Sequence, residues 1–165
     1  MRFVLIDRIL EVEPERRIVT RKALAAGEEY LADHFPTFPV MPGVLMLEAL
    51  VQSAAFLVHA STDFRYSLVL LREARNVNYR TFVAPGDVLE LEVTVRELGE
   101  QSSSFSGIGR CGDEQVVKAR LTLGHERLAD QNAALAERDA RMVADNRARF
   151  ERLGGPAAMI SPVRP

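Results

Sequence analysis

The stretch DHFPTFPVMPGVLMLEALVQSA at 33–54 gathers a histidine, a glutamate and a Pro-Gly step. His34 belongs to the one residue type whose ordinary titration falls near neutrality, which makes it a candidate proton acceptor. Glu48 stands among apolar residues. An ionised carboxylate is costly to bury, so its protonated form, a proton donor, is expected there. Pro42 suits the first position of a helix, where a missing N–H is no loss, and Gly43 leaves its own amide open to approach. Amides at a helix N-terminus carry partial positive charge and can hold a carbonyl oxygen that becomes negative as an enolate forms. A base, an acid and an amide pocket are the parts needed to remove a proton beside a thioester and expel a β-hydroxyl as water. Gln52, one turn beyond Glu48 on the same face, is either its structural partner or part of a loop. His59 and His125 read as surface residues. The sequence has no HxxxH, HxH or cysteine cluster and no GxSxG or P-loop, so no metal and no cofactor is expected.

These residues need a scaffold. Residues 43–60 are apolar on every face, the pattern of a helix wrapped by other structure on nearly all sides. Residues 9–12 and 17–23, separated by EPER, predict an opening hairpin. Residues 66–82, 88–98, 102–110 and 116–123 predict consecutive strands; Leu89, Leu91, Val93 and Val95 alternate with Glu90, Glu92 and Thr94, the period of a half-buried strand. APGD and CGDE supply turns between them, and strands joined by short turns make an antiparallel sheet. An α+β fold follows, with the sheet curled around the apolar helix. Residues 126–152, rich in Ala, Arg, Glu and Asp, predict one solvated helix with a narrow seam at Leu128, Leu135 and Met142, lying along the domain or a neighbouring subunit. The last ten residues, 156–165, predict an extended or disordered end.

The chain of 165 residues is the size of one domain. With 21 Lys+Arg against 23 Asp+Glu, neither nucleic acid nor an anionic membrane is the expected partner. Cys111 is the single cysteine, so no intrachain disulfide can form, and a reducing cytoplasm is the expected setting. The N-terminus reads as mature protein, and Pro42, Glu48, Gln52 and Ser53 interrupt the most apolar segment, which reads as a core helix and not a membrane span.

HFPTFPVMPGVLMLEALVQ closely resembles the signature of the 3-hydroxyacyl-[acyl-carrier-protein] dehydratases of the FabZ type, usually written HFPGxPVMPGVLxxEAxAQ. NVNYRTFVAPGDVLELEV at 76–93 resembles the family's strand, PGD turn and strand, and LIDRILEVEP its opening. The resemblance covers about residues 1–124 and implies a hotdog dehydratase domain there, with 125–165 as a helical extension and tail. It implies that His34 of one subunit faces Glu48 of its dimer mate, and that the Gly43 amide holds the thioester carbonyl. Gln52 would orient Glu48, and Val44, Phe35 and Phe82 would line the acyl chain. The implied partners are an acyl carrier protein bearing a 3-hydroxyacyl chain and a second copy of the chain, as a homodimer or a trimer of dimers. Arg72, Arg75 and Arg80 are candidates for meeting the acidic carrier. Three places depart from the family's usual pattern: Asp33 and Thr37 where glycine is common, and Thr81-Phe82 where Arg-Pro is common. An acyl thioesterase and a non-catalytic carrier-binding protein are the alternatives.

Overall fold

The computed structural model describes residues 4–160. Strands β1 (Arg8–Glu13) and β2 (Arg17–Ala23) form the expected hairpin. Helix α1 (Gly43–Ser61) follows, then β3 (Leu68–Tyr79), β4 (Val88–Leu98), β5 (Ser102–Cys111) and β6 (Glu114–Glu126). All six strands join one antiparallel sheet in the order β1-β2-β4-β5-β6-β3, so β3 lies at an edge.

The sheet folds around α1 because apolar side chains alternate along its strands and line the inner face. Leu89, Leu91 and Val93 of β4, Phe105 of β5 and Leu121 and Leu123 of β6 are fully buried, together with Ala49, Leu50, Ala54, Leu57 and Val58 of α1. Gly107 permits the close approach: a Cβ there would lie 3.0 Å from the Leu50 side chain. A buried polar pair joins helix to sheet, Thr20 to Ser53 at 2.8 Å. Since the Ser53 hydroxyl donates to the Ala49 carbonyl, Thr20 donates to Ser53 and no polar atom of the pair is stranded.

The enclosure of α1 is less complete than its composition suggests. Val44 is 66 % exposed, and Glu48, Gln52 and Ala55 are half-buried. These four positions follow helical spacing, so they form one stripe that the chain's own sheet does not cover.

The tail departs from a single solvated helix. A short helix α2 (Leu128–Gln131) ends at Asn132, whose backbone is extended and whose side chain accepts from the Ala134 amide. Helix α3 (Ala136–Arg152) starts after a 3-10 turn at Ala133–Leu135. The side chains α3 buries are Asp139 and Phe150, whereas Leu128, Leu135 and Met142 are only half-buried. Phe150 meets Phe64 edge-on at 5.4 Å and Phe56 at 6.0 Å, closing the core at the far end of α1. Asp139 accepts from the Ala129 amide and faces Arg127, each at 3.4 Å. Hydrogen bonding from the Ser67 hydroxyl chiefly holds its carboxyl below the usual carboxylate range, against the opposing effect of burial.

Gly154, with φ of 85°, turns the chain into a last helical turn, α4 (Gly155–Ala158). Met159 then bridges to Val12 in parallel, and the Ile160 amide donates to the Val12 carbonyl at 2.7 Å. Residues 156–160 are therefore docked on β1 and not a loose end. Residues 1–3 and 161–165, covered by the expectations for the termini, lie outside the described residues.

Candidate active site

His34 sits in the loop between the 3-10 turn Glu29–Leu31 and α1. Backbone bonds shape the loop: the Phe35 and Phe38 amides donate to one another's carbonyls at 3.2 and 3.0 Å, and the Val40 amide donates to the His34 carbonyl at 3.1 Å. The Met41 amide, bonded to the Val83 carbonyl at 2.8 Å, ties the loop to the strand side. His34 Nδ1 lies 3.1 Å from the Val40 carbonyl oxygen. A carbonyl can only accept, so Nδ1 carries a hydrogen, and in the neutral ring Nε2 is the nitrogen with the lone pair that a proton acceptor requires. Phe35 stacks on the imidazole at 4.1 Å.

His34 opens into a groove of about 420 Å³ that also holds Phe35, Gly43, Met46, Tyr79 and Phe82. Gly43 is the first residue of α1, after Pro42 as N-cap. The Tyr79 ring packs against Gly43 so closely that a Cβ there would stand 3.2 Å from it. First-turn amides have no intrahelical acceptor, so this end of α1 presents donors to the groove. Phe82 is 63 % exposed and meets Phe38 edge-on at 5.7 Å, forming an apolar rim with Phe35, whereas Val44 does not line this groove and stands on the uncovered stripe of α1.

Glu48 does not open into that groove. It lines a second cavity, about 310 Å³, with Gln52, Ala55, Phe56, His59, Ser67–Leu70 and three residues of α3, Met142, Asn146 and Arg149. Gln52 is the partner of Glu48: its Nε2 donates to Glu48 Oε1 at 3.0 Å, and its own oxygen accepts from the Leu5 amide at 3.0 Å. Glu48 is half-buried in the single chain, less than the apolar residues around it imply, because it lies on the stripe of α1 the sheet leaves uncovered. The chain thus brings His34 together with Gly43, Phe35 and Phe82, and Glu48 together with Gln52, in two separate cavities.

Two histidines correct the sequence reading. His59 is 4 % exposed and His125 3 % exposed. His59 stacks flat on Phe64 at 5.3 Å, and burial, with a lesser repulsion from His125, pushes its imidazole down to about 4. Burial lowers His125 as well, against the Tyr66 ring at 5.0 Å. Their neighbouring rings are Phe64 for His59 and Tyr66 for His125, which no periodic pattern around either histidine announces. Sequence reasoning also missed Tyr79 and Met46 in the first cavity and Asn146 and Arg149 in the second. Among the candidate carrier contacts, Arg72 pairs with Glu126 and Arg75 with Glu73, while Arg80 lines the His34 groove. Asp33 and Thr37 are exposed.

Residues 1–120 match the family model of the FabA-like domain. The chain is 40 % identical over 119 residues to the 3-hydroxyacyl-[acyl-carrier-protein] dehydratase FabZ of Moorella thermoacetica, covering 72 % of this chain and 83 % of that protein. It is 38 % identical over 119 residues to the dehydratase of the same name from Geobacillus thermodenitrificans, covering 72 % and 82 %. Among solved structures, the dehydratase heterocomplex ApeI:P from Xenorhabdus doucetiae superposes with a TM-score of 0.66 at 16 % identity, over 81 % of this chain and 90 % of that one. A conserved protein of Pseudomonas aeruginosa does so with a TM-score of 0.58 at 20 % identity, over 72 % and 86 %. At such identities the structural likeness carries the fold alone, and that fold is the hotdog.

Proposed function

Because the chain belongs to the FabA-like domain family and shares most of its length with dehydratases of the FabZ type, we propose that it removes water from (3R)-3-hydroxyacyl-ACP to give trans-2-enoyl-ACP. The observation that carries the reading is the His34 imidazole, fixed through Nδ1 by the Val40 carbonyl with Nε2 left as a base, in the groove that holds the N-terminus of α1. The thioester carbonyl accepts from the Gly43 amide, which favours the negative oxygen of the enolate. His34 Nε2 takes a proton from the carbon beside that carbonyl. The Glu48 carboxyl gives its proton to the β-hydroxyl, the carbon–oxygen bond breaks, the double bond forms and water leaves.

The two halves of the site meet across two chains. β3 is an edge strand whose outward backbone groups are open to pairing, with Leu70 and Leu71 45 % and 38 % exposed. Its first residues, Leu68–Leu70, wall the Glu48 cavity, and its last, Tyr79, walls the His34 groove. Antiparallel pairing of β3 with β3 of a second copy sets the start of one strand against the end of the other. The Glu48 cavity of each chain then adjoins the His34 groove of its mate, and the uncovered stripe of α1 is closed. Arg80, beside the groove, suits the approach of an acidic carrier protein. The assembly is a dimer, or three such dimers together, and a cytoplasmic setting accompanies acyl-chain synthesis of this kind.

The test is to mix the purified chain with a 3-hydroxyacyl-ACP, using His34→Ala as control, and to follow enoyl thioester and free thiol by mass spectrometry. Enoyl product that disappears in the variant is expected. Free thiol in place of enoyl product would move the chain to the thioesterases that share this fold.

A further inference from the structure

The cavity that begins at Glu48 and Gln52 does not end in apolar side chains. Its middle is apolar, with Ala55, Phe56, Leu70 and Met142, but its far wall carries His59, Asn146 and Arg149. His59 is three turns beyond Glu48 on α1, about 16 Å along the helix axis. Asn146 is held there by a bond from its amide to the Ser67 carbonyl at 3.1 Å. Arg149 lies in the last turn of α3 and, among the described residues, no carboxylate pairs with it.

His59 makes this end unusual. It is buried, and its Nδ1 has no hydrogen-bond partner among the described residues. Buried polar atoms are nearly always satisfied, and leaving one without a partner costs free energy that a bound polar group would restore. Asn146 and Arg149 lie beyond residues 1–120, the part that matches the family model, so the extension itself builds most of the polar wall.

We infer that the C-terminal extension forms a distal subsite, built from His59, Asn146 and Arg149, that receives the far end of the acyl chain and favours a chain ending in a carboxylate. The inference rests on the dehydratase reading for the other end of the same substrate. A methyl end would leave the buried His59 nitrogen unsatisfied, whereas a carboxylate accepts from it and pairs with Arg149, which is exposed at the outer end of the cavity. The apolar middle of the cavity accommodates the methylenes between the two ends.

The experiment compares kcat/KM of the full chain on two 3-hydroxyacyl-ACPs of equal medium length, one ending in methyl and one in carboxylate. The carboxylate-ended chain is expected to be favoured, and Arg149→Ala to reduce that preference roughly ten- to hundredfold, with Arg149→Lys retaining part of it. Preference for the methyl end in the unaltered chain, or an Arg149→Ala variant that slows both substrates alike, would overturn the subsite. A second readout needs no turnover: the His59 ring resonances in NMR should shift with a free medium-chain dicarboxylic acid and not with its monocarboxylic counterpart. Equal shifts, or none, with both acids would also overturn it. Absence of enoyl product from every substrate, 3-hydroxybutyryl-ACP included, would sink the dehydratase reading while the NMR comparison still decides the subsite.

Discussion

Gln52 holds the Glu48 carboxyl group from one turn away, donating to Oε1 at 3.0 Å while its own oxygen is fixed by the Leu5 amide at 3.0 Å. The hydrogen bond from the Leu5 amide fixes which end of the carboxamide is the oxygen, so its NH₂ faces Glu48. Gln52→Leu releases that carboxyl group into other rotamers. A net hydrogen bond of this kind contributes about 1 kcal/mol, so kcat should fall roughly five- to tenfold with KM little changed. A rise in KM at constant kcat would assign Gln52 to acyl-chain binding instead.

If His34 and Glu48 of different chains form each site, two dead variants can repair one another. His34→Ala and Glu48→Gln should each lower kcat roughly 10²- to 10⁴-fold. Unfolded together and refolded as a mixture, they should recover a substantial fraction of activity, since a mixed dimer has one site free of both substitutions. No recovery, in mixtures shown by native mass spectrometry to contain mixed dimers, would put both residues of a working site on one chain.

Stability should fall as the solution is acidified from neutrality. His59 titrates at about 4 in the folded chain, below its ordinary value of 6.5, because burial disfavours the charged ring. Between those two values the unfolded chain binds the proton and the folded chain does not, so the contribution is complete above 6.5 and lost as pH falls toward 4. The shift corresponds to at most about 3 kcal/mol. His125 acts with the same sign. Urea unfolding across that range should give a falling midpoint, with a flatter dependence in His59→Leu; an unchanged slope in the variant would remove His59 as the cause.

Phe150 anchors α3 through Phe64 and Phe56, so the extension belongs to the core and is no detachable appendage. Phe150→Ala should cost ~3–5 kcal/mol in urea unfolding, the usual range for a buried phenylalanine. Gly155→Ala should also destabilise, since its Cβ would lie 2.4 Å from the Phe150 ring. A Phe150→Ala loss below 1 kcal/mol would return α3 to the role of a solvated surface helix.

The parts legible in the sequence were those written into local periodicity. The alternation of Leu89, Leu91 and Val93 became a buried strand face, and the continuous apolar run of 43–60 became α1. His34, Gly43, Glu48 and Gln52 stood out because polar groups at a helix start and along an apolar helix need a reason. His59 and His125 did not: Phe64 folds back over His59 only through the turn that ends α1, and the Tyr66 ring reaches His125 from a distant segment. The tail misled for a related cause: the spacing of Leu128, Leu135 and Met142 suggested a seam, but Asn132 breaks the helix and Asp139 and Phe150 turn inward. The separation of His34 from Glu48 within one chain was carried by the family resemblance and by no local pattern, since it depends on where β3 falls in the sheet.

That position of β3 has a consequence for how the protein is handled. If the catalytic unit is split across that exposed strand edge, as proposed, it exists only while two chains are associated, and specific activity becomes a function of protein concentration. On dilution below the dissociation constant of the pair, turnover per chain should decline although every chain stays folded, and saturating substrate, which touches both halves at once, should hold the pair together.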